Sequence, residues 1–169
     1  MYRIGDLIVY GRTGVCRVEE INEEEVRGAD KEPQQFYTLR PLYQNCRIRT
    51  PVLGGKVYSR PIISGSEAER LIARIPEVDA EPYHNRNLNQ LREHYREWLE
   101  RFDCEALIIL TKSLYLKKKE AETQKRKFGA VDERFMREAE DLLYGEFAAA
   151  LEIDRDKVEN YIAKSLESD

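Results

Sequence analysis

Arg60-Pro61-Ile62-Ile63-Ser64-Gly65-Ser66-Glu67-Ala68-Glu69-Arg70-Leu71-Ile72-Ala73-Arg74-Ile75 is the stretch over which the apolar rhythm of this chain changes. Before it, apolar residues come in short runs broken by Gly and Pro, the pattern of strands and turns. After it, they recur at three- and four-residue spacing, the pattern of amphipathic helices. Within it, Ser66-Glu67-Ala68-Glu69 reads as a capping box that opens a helix carrying Leu71, Ile72 and Ile75 and ending before Pro76. The expected class is therefore α+β, with a small bent β-sheet or half-barrel over residues 1–60 and a helical module of about five helices over 61–169.

Upstream, Leu7-Ile8-Val9-Tyr10 lies between Gly5-Asp6 and Gly11, and a second run with approximate alternation follows Gly14 through Ile21. Glu25-Val26-Arg27 with Gly28-Ala29-Asp30 reads as a strand end and hairpin turn, and Phe36 to Leu39 continues the meander. Cys46-Arg47-Ile48-Arg49-Thr50 places Cys46, Ile48 and Thr50 on one face and the two Arg on the other, with Pro51 as the stop. Five strands are expected in all. Downstream, Asn85 or Asn87 suits the N-cap of a helix with the stripe Leu88, Leu91, Tyr95, Trp98, Leu99 and Phe102. Asp103, Asp132 and Asp154 suit the caps of three more, with Lys112 and Lys119 on the outer face of the helix after Asp103.

The 169 residues are 41% hydrophobic and 36% charged, with a net charge of -4. Hydrophobic residues are spread along the whole chain, which argues for a folded rather than a disordered protein. By segment the charge is +2 over 1–60, -3 over 61–100, +4 over 101–128 and -7 over 129–169. An acidic chain does not coat nucleic acid generally, yet a local basic patch can still be a binding face. No apolar run reaches the roughly 18–20 residues that a bilayer requires, and the N-terminus shows no apolar leader, so a cytoplasmic protein is expected. Cys16, Cys46 and Cys104 are odd in number and widely spaced, with only His84 and His94 to assist. That arrangement favours neither a disulfide framework nor a zinc site, and no metal or other cofactor is expected. There is no phosphate-binding Gly loop, no paired-His helix and no nucleophile context beside either His, so an enzyme is not expected.

Two constellations remain. Arg47 and Arg49, with Tyr10 and Arg12 near another strand end, offer planar multi-donor groups suited to carboxylates at a protein interface. An ordinary charged outer face is the simpler reading of that pattern. Residues 112–127 hold seven basic and two acidic side chains. Some of these charges suit a helix C-terminus, but so many also suit phosphates, which they would position without reading sequence. Tyr83 and His84, in the loop before the second helix, are placed to project, whereas Trp98 belongs to a core stripe.

Tyr2-Arg-Ile-Gly-Asp-Leu-Ile-Val-Tyr10, Gly14-Val15, Val18-Glu-Glu-Ile21 and Arg47-Ile-Arg-Thr-Pro51 together resemble the opening of the CarD family and the RNA polymerase interaction domain of transcription-repair coupling factors. Glu133-Arg134 and Ala139 through Leu142-Leu143-Tyr144-Gly-Glu146 resemble the CarD C-terminal helices. The resemblance implies a Tudor-like N-terminal sheet that binds the β subunit of bacterial RNA polymerase, and a helical module that contacts upstream promoter DNA and alters open-complex stability. It implies polymerase contact by Arg49, with Arg47, Ile48, Thr50, Pro51 and Tyr10 around it. DNA contact is expected from Tyr83, His84, Arg86, Lys117, Lys118, Lys119, Lys125, Arg126, Lys127 and Arg134. The chain departs from the family where relatives carry a wedge Trp before the second helix, and it has Glu24, Glu138 and Glu140 where relatives carry basic residues. The expectation is a monomeric, non-enzymatic transcription regulator without a small-molecule substrate or membrane partner. The alternative is a protein-only adaptor whose Lys run is solvated.

Overall fold

The computed structural model describes residues 1–24 and 32–167, which fall into two compact units, Met1–Ile62 and Ile63–Asp169. The expected strand end and turn at 25–30 lie outside the described residues.

The first unit is a five-stranded antiparallel open sheet: β1 (Leu7–Tyr10), β2 (Gly14–Glu24), β3 (Gln34–Pro41), β4 (Ile48–Pro51) and β5 (Ser59–Pro61), in the order β4-β3-β2-β1-β5. A tight 3-10 turn over Gly11–Thr13 joins β1 to β2. Gly11 is required there: its φ is 47°, and a Cβ would stand 2.7 Å from Val57 Cγ1. Val18 pairs with Leu39 and Glu20 with Thr38, so Glu19 is an extra residue, a β-bulge. The bulge re-phases the strand. Cys16 and Val18 face the core before it, and Ile21, opposite Tyr37, joins the same cluster after it. Ile8, Cys16, Val18, Tyr37 and Leu39 form the buried centre.

Two expectations for this unit are corrected. The strand expected over 46–50 is the shorter β4, which begins at Ile48 and includes Pro51, while Cys46 is exposed. Proline is tolerated because β4 is an edge, where no amide is needed on the open side. The fifth strand is β5, which pairs with β1 through Val9 and Arg60. Its three residues carry no alternation, so its pairing comes from tertiary context rather than from a local pattern.

The second unit contains α1 (Gly65–Arg74), α2 (Leu88–Leu99), α3 (Cys104–Thr123), α4 (Ala130–Leu151) and α5 (Val158–Glu167). Asn87 caps α2 by accepting from the Asn89 and Gln90 amides, and Asp103 caps α3 by accepting from Ala106. The cap of α1 is Ser64 rather than Ser66, with its hydroxyl accepting the Glu67 amide at 3.1 Å. Asp132 is not the cap of α4. Gly129 takes that position, a Cβ there would meet the Asp132 carboxylate at 2.8 Å, and Asp132 is drawn inward instead. Asp154 precedes a 3-10 turn over Arg155–Lys157 without a side-chain cap bond.

Leu71, Ile72, Leu91, Tyr95, Leu99, Leu107, Leu110, Leu114, Phe135, Leu143 and Phe147 make one continuous core across α1 to α4, closed at α5 by Val158. Three charged side chains, two of them buried, are drawn against it, each with partners. Glu146, 1% exposed, accepts from the Ile63 amide at 3.0 Å and the Cys104 thiol at 3.1 Å. Asp132 accepts from the Tyr95 hydroxyl at 2.5 Å and from Lys117 Nζ at 2.9 Å. Lys112 was expected to point outward. Its ammonium instead donates to the carbonyls of Ile75 and Val78 at 2.9 and 2.7 Å, which fixes the chain beyond α1.

Candidate functional sites

The outer face of β2-β3-β4 is a charged surface. Arg17 stands opposite Arg40, and Thr38 opposite Arg49. The Arg49 guanidinium lies over the Phe36 ring, 4.1 Å from its centroid, and is ion-paired to Glu24. Glu19, the bulge residue, reaches both Arg40 at 3.5 Å and Arg47 at 3.7 Å. Arg47 thus lies just before the edge strand, and Arg49 and Pro51 share one face of it. Ile48, Thr50 and Tyr10 turn the other way. Ile48 and Tyr10 pack against the buried cluster, and the Tyr10 hydroxyl donates to the Thr50 hydroxyl at 3.2 Å. The grouping of Tyr10 with the two Arg is corrected accordingly: alternation sends neighbouring side chains to opposite faces. Glu19, Phe36 and Arg40 escaped the sequence reading of this face, because only the bulge and the register bring them to Arg47 and Arg49.

In the helical unit, a cleft of about 630 Å³ opens between the loop before α2, the end of α3 and the start of α4. His84, Arg86, Arg126 and Lys127 line it. The loop is held in place from α3 by Lys112, and by the Ser113 hydroxyl donating to the Glu81 carbonyl at 2.6 Å. Tyr83 does not project. It stacks on His94 with centroids 3.6 Å apart, and burial holds the His94 imidazole below its usual pKa. His84 and Arg126 both approach Glu120, at 3.3 and 3.8 Å, while Arg86, Lys125 and Lys127 make no ion pair with any described residue. Lys117 belongs to the interior, its side chain 13% exposed and paired to Asp132. Lys118 and Lys119 are exposed on α3, and Arg134 lies near the Phe135 ring at 5.7 Å. The structure therefore divides the basic run into an interior pair, Lys112 and Lys117, and a set directed outward.

Lys118 and Lys119 share a second groove, of about 390 Å³, with Glu140 and Glu159. Burial first, and then the like charge of Glu159, raise the Glu140 carboxyl, and burial with both carboxylates pushes Tyr144 up to about 12. Because the folded pKa of Glu140 exceeds its unfolded value of 4.5, the folded chain holds more protons in that window and loses stability as pH rises through it. Glu140→Gln is therefore expected to melt higher than the wild type at about pH 7.5, with the advantage fading by about pH 3.5, below the unfolded value of 4.5, where Glu140 is protonated in the folded and unfolded chain alike. Paired thermal melts at the two pH values check this.

Among the described residues, no helix is long and apolar enough to cross a membrane, and no group of three His, Cys, Asp or Glu is placed to hold a metal. No curated protein matches the chain. Residues 2–60 match the family model described as the CarD-like/TRCF RID domain.

Proposed function

From the premise that residues 2–60 form a CarD-like RNA polymerase interaction domain, a protein-interaction module, we infer that this chain is a non-enzymatic transcription regulator. The sheet unit binds the β subunit of RNA polymerase through the outer face around β4, with Arg47, Arg49 and Pro51 as contacts. The helical unit touches upstream promoter DNA and alters the stability of the open complex. The observation that supports the polymerase contact most directly is Arg49. It is half-exposed on an edge strand, preorganised over Phe36, and carries the donor fork suited to a partner's carboxylate.

For the DNA contact, the support is the cleft lined by Arg86, Arg126 and Lys127, with Lys118, Lys119, Lys125 and Arg134 on the exposed surface. Such a set neutralises phosphates and reads no sequence. Tethering to polymerase raises the local concentration of promoter DNA, so a weak contact suffices. A change in open-complex stability follows only from a difference in affinity between the closed and melted promoter.

Capture of core polymerase by the full chain tests the first half. Arg49→Glu is expected to weaken capture by about 100-fold or more while leaving the circular dichroism spectrum unchanged. Unchanged capture would remove this face from the interface. The protein-only adaptor is favoured by one observation: Lys112 and Lys117 are consumed inside the helical unit, which thins the basic surface. A salt titration on forked promoter DNA separates the readings, since phosphate contact requires affinity to fall with salt and the adaptor shows no such slope.

A further inference from the structure

On the outer face of the sheet, each of Arg40, Arg47 and Arg49 stands beside a carboxylate. Glu19 bridges Arg40 and Arg47, and Glu24 holds Arg49. The Arg49 and Glu24 side chains are 49% and 52% exposed, so in the free protein both charges remain hydrated and their pairing adds little stability. Its effect is geometric. One face of the guanidinium is covered by Phe36 and one edge is taken by Glu24, while about half of the side chain stays open to a partner. A protein that docks here removes water from both members at once. Burying the pair against a surface that answers only Arg49 would leave Glu24 desolvated with half a partner, a costly state.

We propose that Glu24 is a specificity-determining residue, and that this face recognises a reciprocal charge pair on polymerase: a carboxylate opposite Arg49 and, beside it, a Lys or Arg opposite Glu24. The pattern extends along the strand. The Arg40–Glu19–Arg47 cluster carries a net positive charge and calls for a second carboxylate, whereas Arg49–Glu24 is neutral and calls for a matched pair. The complementary surface is thus predominantly acidic with one basic group at the end that meets β2's Glu24. This rests on the polymerase reading above and names the chemistry of its contact.

The competing account makes Glu24 an internal competitor that merely occupies Arg49; the two differ in sign. Binding of core polymerase to the full chain is measured for Glu24→Gln, Glu24→Arg, Arg49→Glu and the double exchange Glu24→Arg with Arg49→Glu, each verified as folded by its melting curve. Glu24→Gln is expected to weaken binding by about tenfold, and Glu24→Arg by more, because the latter sets like charges against each other. The double exchange restores the internal pair in reversed order and is expected to stay unbound. If Glu24→Gln or Glu24→Arg leaves binding unchanged or strengthens it while Arg49→Glu abolishes it, the charge-pair proposal is overturned and the polymerase reading stands. Recovery of binding by the double exchange would also overturn it, since the face would then need only a neutral pair. If Arg49→Glu itself changes nothing, the polymerase reading of this face fails, and the proposal fails with it.

Discussion

Asp132→Ala is expected to lower the melting temperature of the helical unit by about 12 °C or more, the shift that follows from a loss of ~3–5 kcal/mol in a unit of this size. The carboxylate is 8% exposed as a side chain and serves two donors, the Tyr95 hydroxyl and the Lys117 ammonium. Removing it leaves an ammonium, 13% exposed, without its counter-charge, together with a buried phenol whose proton has lost its acceptor. Burial, the largest cause of the raised Tyr95 pKa, persists in the variant and opposes ionisation of the phenol. Desolvation dominates this cost rather than the attraction between the two charges, and a second variant separates them. Asp132→Leu combined with Lys117→Met removes both charges and is expected to recover much of the loss, because a matched apolar replacement of a buried pair is often neutral. Thermal melts followed by circular dichroism at 222 nm check both.

Leu39→Ala should act on the other unit and with greater functional consequence. Leu39 is fully buried, lies between Val18 on β2 and Ile48 on β4, and belongs to a centre of five buried side chains among the described residues. Truncation in a core typically costs ~2–5 kcal/mol, and a domain of about 60 residues has little more than that to lose. The expected result is a sheet that is largely unfolded at 37 °C, polymerase capture reduced to background, and helical signal retained. A parallel loss of the helical signal would show that the two units melt together. Leu114→Ala, equally buried but in the larger core, is the control that should weaken the helices and leave capture intact at 25 °C.

What the sequence disclosed follows from how local each signal is. Apolar period alone located the helices, since Leu91, Tyr95 and Leu99 recur at four-residue spacing and all are buried. The caps at Asn87 and Asp103 were legible because an Asn or Asp there competes for nearby amides whatever surrounds it. Asp132 misled on the same grounds: it stands three residues into α4, and a distant Tyr and Lys outbid the local amides. Lys112 and Lys117 looked like surface charge for a related reason. Their carbonyl and carboxylate partners are 15 to 37 positions away, beyond the reach of any local pattern. On the sheet, Arg47 and Arg49 could be read, but their carboxylate partners could not, because Glu24 meets Arg49 only through the pairing of the strands and Glu19 meets Arg47 from the bulge of β2.

The three thiols described above make the chain its own reporter of local opening. Cys46 is exposed, Cys104 is buried beneath Glu146 in the helical core, and Cys16 lies in the centre of the sheet, where burial pushes its pKa up to about 12. Only the thiolate reacts, so an alkylating reagent takes one equivalent at once and must wait for the fold to admit it to the other two. Cys16 reacts when the sheet opens and Cys104 when the helices do. The two slow labelling phases therefore measure separately how often each unit exposes its interior, without any inserted probe.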